Sequence, residues 1–275
     1  MKNQQQPDIF AGTEFAPKKL DISQFDATQE FRIAVPTHMR PESIGKKTLA
    51  MIKEESLGDK VDLFCSTEQD ATSYRRLYPW ANIIIANTDN VRDKFNFIHS
   101  YYQEGQKVLV IEDDVTGVMM KEDTRKLLDV ILWAFDYCDK EHINIFGIYP
   151  SANKMFMDNS VDVGFVYVVA NIYGFIATKT PVLCELPTKN DYERSAIYYK
   201  SFGNNMRMNF LAAKTNNYKN KGGMQMDQGR AENETYASNA LVKMHPELFR
   251  INEGRKSDFT EIKASRNEVR RIDIG

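Results

Sequence analysis

The stretch KVLVIEDDVTG, residues 107–117, ends an apolar run in three adjacent carboxylates. The run 108–111 is typical of a strand buried in a parallel sheet. In an extended backbone Glu112 and Asp114 point to one side and Asp113 to the other. Carboxylates this close raise one another's pKa unless a cation neutralises them, and Mg²⁺ or Mn²⁺ prefers oxygen ligands. The pattern predicts a metal site with Asp114 as the direct ligand and Glu112 beside it, although the acids could simply cap a following helix.

A second acidic group, Asp191 and Glu193, stands at the start of a predicted helix in the stretch TKNDYERS. A carboxylate there could act as a general base that removes a proton from an attacking hydroxyl group. Acidic and amide side chains at a helix start also serve as N-caps. We favour Asp191 as the base and keep Glu193 as the alternative.

Several cations follow predicted strands. Arg40, Arg92 and Lys94 lie in loops or first helical turns, where each could reach a phosphate or a nucleobase. His38 shares a loop with Arg40 and could contact the base of a nucleotide. Each of these side chains could instead be an ordinary surface group.

The segment 194–226 contains no Asp or Glu and interleaves cations with aromatic residues. Cations can neutralise phosphates and aromatic rings can stack on bases, so the segment favours a polar acceptor such as DNA over a merely solvated surface. Phe210 is expected in the core instead. The residues predicted to contact nucleic acid are Arg207, Lys214, Lys219, Lys221 and, just beyond the segment, Arg230.

Short apolar runs alternate with amphipathic stretches from residue 31 onward, which predicts an α/β fold with a mostly parallel sheet. Ligands of such sheets bind at the carboxyl ends of the strands. Residues 42–55 are predicted to form one helix, and residues 163–179 a β-hairpin or paired strands. Residues 1–30 are polar and predict a tail or an extended arm, followed by a single domain over 31–275.

Composition limits the class of protein. The chain has 275 residues, 42% of them hydrophobic, with a formal net charge of -2, which excludes a uniformly basic protein of the histone kind. Its three cysteines are far apart and have no CxxC spacing, so neither a disulfide framework nor a zinc site is predicted. The sequence lacks a signal-peptide pattern and an apolar run long enough to span a membrane. We expect a soluble cytoplasmic protein.

The acidic strand end, preceded by three strand–helix units, and the opening FRIAVPTHMRPESI resemble GT-A-type glycosyltransferases. The motifs NIYGFIATK, NDYERSAIYYKSFGNNMRMNF, NKGGMQMDQGR and ASNALVKMHPELFRI resemble, in that order, the TET/JBP-associated glycosyltransferases. That group occurs in phages and kinetoplastids and is linked to glycosylation of hydroxymethylated pyrimidines in DNA. The resemblance covers roughly residues 31–265.

The resemblance implies a GT-A fold, with a mixed, mostly parallel central sheet flanked by helices and a smaller irregular sheet on the acceptor side. Residues 31–150 would bind the nucleotide sugar and residues 151–275 the acceptor. It implies Mn²⁺- or Mg²⁺-dependent transfer of a hexosyl or pentosyl group from a nucleoside-diphosphate sugar, with UDP favoured, to a hydroxymethylated pyrimidine in DNA. A phage origin would place the protein in the host cytoplasm.

In that family the acids of the strand end hold the metal and the donor, so Glu112 and Asp113 are expected at the nucleotide sugar together with His38, Arg40, Arg92 and Lys94. The split spacing of Asp191 and Glu193 leaves the identity of the base open. A carbohydrate or protein acceptor is an alternative, and so is a metal-dependent nuclease. A DNA-binding protein that keeps the fold without catalysis is a further alternative.

Overall fold

The computed structural model describes residues 19–57, 60–122, 125–215, 229–254, 260–265 and 269–274. The strands in these ranges are β1 (Arg32–Pro36), β2 (Val61–Cys65), β3 (Asn82–Ile85), β4 (Lys107–Ile111), β5 (Val115–Met120), β6 (Ile145–Tyr149), β7 (Ser160–Gly164), β8 (Ile172–Ile176), β9 (Asn205–Thr215), β10 (Phe249–Ile251), β11 (Ile262–Ala264) and β12 (Arg270–Asp273). The helices are α1 (Pro41–Gly45), α2 (Thr48–Glu54), α3 (Glu68–Leu77), α4 (Val91–Tyr101), α5 (Leu127–Glu141), α6 (Asn190–Phe202) and α7 (Arg230–Met244).

One mixed sheet organises the chain, in the order β12-β7-β9-β6-β8-β4-β1-β2-β3, with β5 paired to β9. The strands β4, β1, β2 and β3 run parallel, whereas β8 is antiparallel to both β4 and β6. A second, two-stranded sheet joins β10 and β11. The predicted α/β class is confirmed. Because β8 lies between β4 and β6, the two halves of the sequence share one sheet.

Helices cover both faces of the large sheet, which explains why its inner strands are continuous apolar runs. Apolar residues of α2, α3 and α5 pack on one face, and those of α4 and α6 pack on the other. A third apolar cluster joins α6 and α7 to the small sheet. α6 therefore contacts two apolar clusters, one against the large sheet and one against α7 and the small sheet.

The predicted pairing within residues 163–179 is wrong. β7 pairs with β9 and β12, while β8 inserts between β4 and β6. Both strands are almost completely buried. An apolar run that is buried on both faces carries no alternation that would specify its partner, so proximity in the sequence misled the prediction.

Residues 42–55 form two helices, α1 and α2, where one was predicted. The break falls at Lys47, whose φ of -122° and ψ of -101° are not helical. The break lets the Thr48 hydroxyl reach the strand end, where it lies 2.7 Å from the Glu112 carbonyl oxygen and 3.2 Å from that of Val115. A tertiary contact thus overrides the helical periodicity and supports the acidic loop.

The described part of the N-terminal segment lies along the domain. The Leu20 backbone N–H donates to the Asp273 carbonyl oxygen at 2.8 Å, and Ile22 is buried in the main core. Residues 1–18, the greater part of the predicted tail or arm, lie outside the described residues. No helix in the described ranges combines the length and the apolar character needed to cross a membrane.

Gly174 provides a test of the central packing. A Cβ atom at this position would lie 2.2 Å from Cζ of Phe146, whose side chain is 1% exposed and cannot withdraw. We expect Gly174→Ala to lower the free energy of unfolding in urea by about 2 kcal/mol through overpacking.

Gly117→Ala is the matched control in a strand, because its Cβ would meet only Lys214 at 3.7 Å. It should change the free energy of unfolding by less than about 0.5 kcal/mol. Equal losses in the two variants would mean that β8 does not pack against Phe146 as described.

Candidate active site

Three parallel strands bring their following loops to one edge of the sheet. β4, β1 and β2 are adjacent and run in the same direction. The loop after β1 holds Thr37, His38 and Arg40, the acids 112–114 follow β4, and Asp70 lies in the first turn of α3. Ligand sites of α/β proteins form at this edge. The predicted cation loop and the acidic strand end are therefore neighbours.

Asp113 points into the protein and is neutralised there. Its Oδ2 accepts a hydrogen bond of 2.9 Å from the Thr37 hydroxyl, and its Oδ1 accepts one of 2.7 Å from Arg40 Nη1. The Thr37 hydroxyl also lies 2.7 Å from the Tyr74 hydroxyl, which accepts from the Arg40 backbone N–H at 3.0 Å. This network makes Asp113 the internal support of the loop after β1, with Arg40 partly exposed above it.

Lys94 lies beneath the same loop. Its ammonium group donates to the Thr37 carbonyl oxygen at 2.5 Å, and the residue is 6% exposed. Burial lowers the pKa of Lys94 to about 8, although the nearby carboxylates of Asp70 and Asp113 oppose that shift. The sequence predicted that the ammonium group would bind a phosphate. At this buried position it does not face a ligand, and Lys94 instead supports the loop.

Arg92 and His38 lie at the margins of this edge. Arg92 Nη1 donates to the Glu185 carbonyl oxygen at 3.0 Å, so its guanidinium turns toward the chain before α6. The exposed ring of His38 has its Nδ1 3.7 Å from Asp70 Oδ2. That oxygen of Asp70 is buried and has no hydrogen-bond partner in the described structure, so a ligand could donate to it. Asp70 is absent from the sequence-based predictions, although its place just after a strand end was a usable signal.

Glu112 and Asp114 are crowded by like charges. Burial, followed by the carboxylates of Asp114, Asp113 and Asp191, raises the pKa of Glu112 to about 8. Burial and Asp113 also raise the pKa of Asp114. The Oδ1 atom of Asp114 is buried and lacks a hydrogen-bond partner within the described residues. A cation placed here would relieve the repulsion and satisfy that oxygen.

These two residues fit a divalent metal ion. Among the described residues, no group of three or more His, Cys, Asp or Glu side chains is arranged to hold a metal by itself. Mg²⁺ is commonly bound through one or two carboxylates, with substrate phosphates and water completing its shell. Asp114 and Glu112 therefore suit an ion that also binds a phosphate ligand.

The first turn of α6 brings Asp191 to the acidic strand end. Asp191 is partly exposed and close enough to contribute to the raised pKa of Glu112. Its Oδ2 accepts a hydrogen bond from the Tyr167 hydroxyl, and its Oδ1 accepts one of 3.0 Å from the Tyr192 backbone N–H. An oriented and accessible carboxylate beside a metal site has the geometry that a general base needs.

Glu193 has a different position, although it is only two residues away. It is 1% exposed, and its two oxygens accept hydrogen bonds from the backbone N–H groups of Glu185 at 2.9 Å and Leu186 at 3.0 Å. Both oxygens are thus used to fix the chain that leads into α6. This arrangement does not favour Glu193 as the base and supports the choice of Asp191.

Arg194 is a buried cation that the predictions placed only within the basic segment. It is 1% exposed, and its guanidinium lies 4.2 Å from the centre of the Tyr173 ring and 5.2 Å from that of Phe95. Its Nε and Nη2 atoms have no hydrogen-bond partner in the described structure. The sequence did contain a signal that Arg194 lies near the proposed base. Residues three apart share a helix face, and Arg194 follows Asp191 by three.

Two of the solved structures that are similar to this chain in fold are glycosyltransferases. Glucosyl-3-phosphoglycerate synthase from Mycobacterium tuberculosis, in complex with Mn²⁺, UDP-glucose and phosphoglyceric acid, is 11% identical, with a TM-score of 0.50 over 89% of this chain and 90% of that one. TarS from S. aureus is 12% identical, with a TM-score of 0.50 over 78% of this chain, which spans only 40% of TarS. The chain has the GT-A glycosyltransferase fold.

No protein-family model matches the sequence, and no curated protein matches it. Identities near one residue in ten establish the GT-A fold and leave the reaction to be argued from the site. The fold class implied by the resemblance is confirmed.

The basic segment of this GT-A domain contains both buried and exposed residues. Arg207 is 7% exposed, and its Nη2 donates to Asp162 Oδ2 at 2.8 Å. A guanidinium buried in an ion pair is not available to a phosphate backbone, which corrects the prediction for Arg207. Phe210 is buried in the core as expected.

Lys214 is exposed near the end of β9. It is paired with Gly117 of β5, three residues beyond Asp114, so the cation lies on β9 beside the strand that leaves the acidic loop. The predicted contacts of Lys219 and Lys221 lie outside the described residues, as does the side chain of Arg230.

The raised pKa of Glu112 predicts pH-dependent metal binding. Glu112 binds a proton more tightly in the folded than in the unfolded protein, so its contribution to metal-free stability is present below about pH 4.5 and is lost as pH rises through about 8. Mn²⁺ binds Glu112 only after its carboxyl group has lost that proton. We expect the rise in melting temperature caused by Mn²⁺ to grow from pH 6 to pH 8.5.

Glu112→Gln should remove this pH dependence, and Asp114→Asn should abolish the Mn²⁺ effect. Glu104→Gln, at an exposed position in the turn before β4 at the opposite edge, should behave like the parent. A Mn²⁺ effect that survives both strand-end variants would exclude this metal site.

Substitutions of Asp191 and Glu193 in α6 should differ in their effect on the free energy of unfolding. Glu193→Gln places an amide N–H₂ against a backbone N–H, so we expect it to lower the free energy of unfolding by about 1–3 kcal/mol. Asp191→Asn should cost less, because Asp191 is partly exposed and the Tyr167 hydroxyl can rotate to accept from the new amide. A larger loss for Asp191→Asn in urea titrations would reverse the assignment of the two roles.

Proposed function

We propose that the protein is a metal-dependent glycosyltransferase that uses a nucleoside-diphosphate sugar. The observation that carries this proposal is the pair Glu112 and Asp114, two carboxylates with raised pKa values at the strand-end edge of a GT-A fold, where the buried Oδ1 of Asp114 has no hydrogen-bond partner in the described structure. A bound Mn²⁺ or Mg²⁺ would neutralise negative charge on the departing diphosphate. The similar synthase from M. tuberculosis, which has Mn²⁺ and UDP-glucose in its complex, supports this choice of cofactor and donor.

The nucleotide would lie across the loops after β1 and β2. The buried Oδ2 of Asp70 has no hydrogen-bond partner in the described structure, and the N–H group of a uracil ring could donate to it. His38 is exposed beside that oxygen, and Arg40 is partly exposed on the same loop. This combination favours a uridine nucleotide, whose base would meet Asp70 while its phosphates approach the strand-end acids.

Asp191 would take the proton of the acceptor. The acceptor oxygen forms a bond to the anomeric carbon while the bond from that carbon to the diphosphate oxygen breaks, and the electron pair leaves with the diphosphate. The acceptor's proton passes to Asp191, which Tyr167 and the Tyr192 backbone hold in place. Arg194, buried close enough to influence the pKa of Glu112, limits the negative charge that accumulates around these carboxylates.

The proposed acceptor is the hydroxymethyl group of a modified pyrimidine in DNA. The ordered motifs that resemble the TET/JBP-associated enzymes support it, as does the segment 194–226, which lacks acids and is rich in cations and aromatic residues. Lys214 is exposed on the strand that faces β5, close to the acidic loop. A 5-substituent projects into the major groove, and a pyrimidine turned out of the helix would reach a carboxylate more closely.

A direct test is to incubate the protein with hydroxymethylated DNA, Mn²⁺ and a panel of sugar nucleotides, followed by mass spectrometry of the nucleosides. We expect one glycosyl group on each modified pyrimidine, no product on unmodified DNA, and none in EDTA. Asp191→Asn should retain donor binding and lose turnover by about a hundredfold or more.

The alternatives give different results. Cleaved strands would indicate a nuclease, and transfer only to a carbohydrate or a protein would overturn the DNA acceptor while keeping the glycosyltransferase. Binding of hydroxymethylated DNA without donor consumption would identify a non-catalytic protein that keeps the fold.

A further inference from the structure

A cavity of about 230 Å³ lies beside the start of α6, on the side of the C-terminal half. Its walls include Phe165, Tyr167, Tyr192, Asp162, Arg207 and Lys263. Pockets for drug-sized ligands are commonly larger, from about 300 to 1,000 Å³, so this cavity suits a ligand of about one ring.

Two residues of the cavity wall also hold the proposed base. The Tyr167 hydroxyl donates to Asp191 Oδ2, and the Tyr192 backbone N–H donates to Asp191 Oδ1 at 3.0 Å. Asp191 is not itself a lining residue, and Tyr167 and Tyr192 connect it to the cavity. This shared wall distinguishes the cavity from a surface depression unrelated to the acidic strand end.

Aromatic rings form one part of the wall. The rings of Tyr167 and Tyr192 are stacked, with their centres 4.2 Å apart and their planes at 20°. Each is partly exposed, which leaves ring surface that a ligand could cover. Aromatic surfaces of this kind bind planar rings by stacking.

Buried charges form another part of the wall. Asp162 is 3% exposed and Arg207 is 7% exposed. Arg207 Nη2 donates to Asp162 Oδ2 at 2.8 Å, and Arg271 Nε donates to Asp162 Oδ1 at 2.9 Å. Arg271 Nη1 also donates to Asp158 Oδ2 at 3.0 Å, so these charges balance and this part of the wall is polar without a net charge.

We propose that this cavity receives the acceptor pyrimidine, as a single ring turned out of the DNA helix. The ring would stack on the Tyr167–Tyr192 wall, its polar edge would lie on the side of Arg207, and its hydroxymethyl group would point toward the side where Tyr167 contacts Asp191. This inference rests on the proposed function. It specifies which ring binds in the cavity and which residues bind it. A base pair, with two joined ring systems, would exceed the space.

The test compares two tyrosines of α6. Tyr192→Leu removes one ring of the wall, whereas Tyr199→Leu removes a ring from the same helix that packs against Phe165 and is not among the cavity residues. The measurements are KM for hydroxymethylated DNA, the dissociation constant of the free nucleoside 5-hydroxymethyl-2′-deoxyuridine, and that of UDP-glucose with Mn²⁺.

We expect Tyr192→Leu to weaken DNA and nucleoside binding roughly 5- to 100-fold, as for the loss of one stacking contact, with donor binding unchanged. Tyr199→Leu should change none of the three. Lys263→Ala, at an exposed position on the cavity rim, should weaken nucleoside binding with the fold intact.

If the parent transfers sugar to DNA and the two leucine variants bind DNA and nucleoside equally well, the cavity is not the acceptor site and the proposed function stands. If the parent transfers no sugar to hydroxymethylated DNA, the proposed function fails and the assignment of the cavity to a pyrimidine fails with it. A 2-aminopurine placed next to the modified base should brighten on binding when the base leaves the stack. Parent complexes that remain dark would contradict base extrusion even where transfer occurs.

Discussion

Repulsion among carboxylates at the end of β4 is the constraint on which the organisation of this edge depends. Glu112, Asp113 and Asp114 leave a buried strand together, and Asp191 adds a fourth acid from α6. Arg40 forms an ion pair with Asp113 at 2.7 Å, whereas the cations near Glu112 and Asp114 offset only part of the rise in their pKa values. Burial and then mutual repulsion raise the pKa values of Glu112 and Asp114, so their ionised forms are destabilised without a cation and favour the binding of one.

The supports of that edge are drawn from distant parts of the chain. Thr48 reaches it because the helix predicted over 42–55 breaks in two, and Lys94 stabilises the loop after β1 from below. These contacts join β1, α2 and α4 to the acidic loop. A loop held from several sides can keep two like charges close together, which a freely moving loop would separate.

One turn of α6 combines three separate roles. Successive helical residues are rotated by about 100°, so neighbours in the sequence face different surroundings. Asp191 faces the acidic strand end, Glu193 binds the preceding backbone, and Arg194 lies over the Tyr173 ring in the core. The same helix contributes Tyr192 to the cavity wall, which links the proposed base to the proposed acceptor pocket.

The sequence alone determined the α/β class, the mostly parallel sheet and the acidic strand end, because apolar periodicity and the position of charges after a strand are local properties. Only the tertiary structure decided that β7 and β8 have different partners, that Arg207 is paired with Asp162 in the interior, and that Asp191 and Glu193 differ in exposure. Strand pairing and burial depend on residues far apart in the chain. A side chain's type therefore predicted the chemistry it could perform, while its long-range neighbours decided whether that chemistry was accessible.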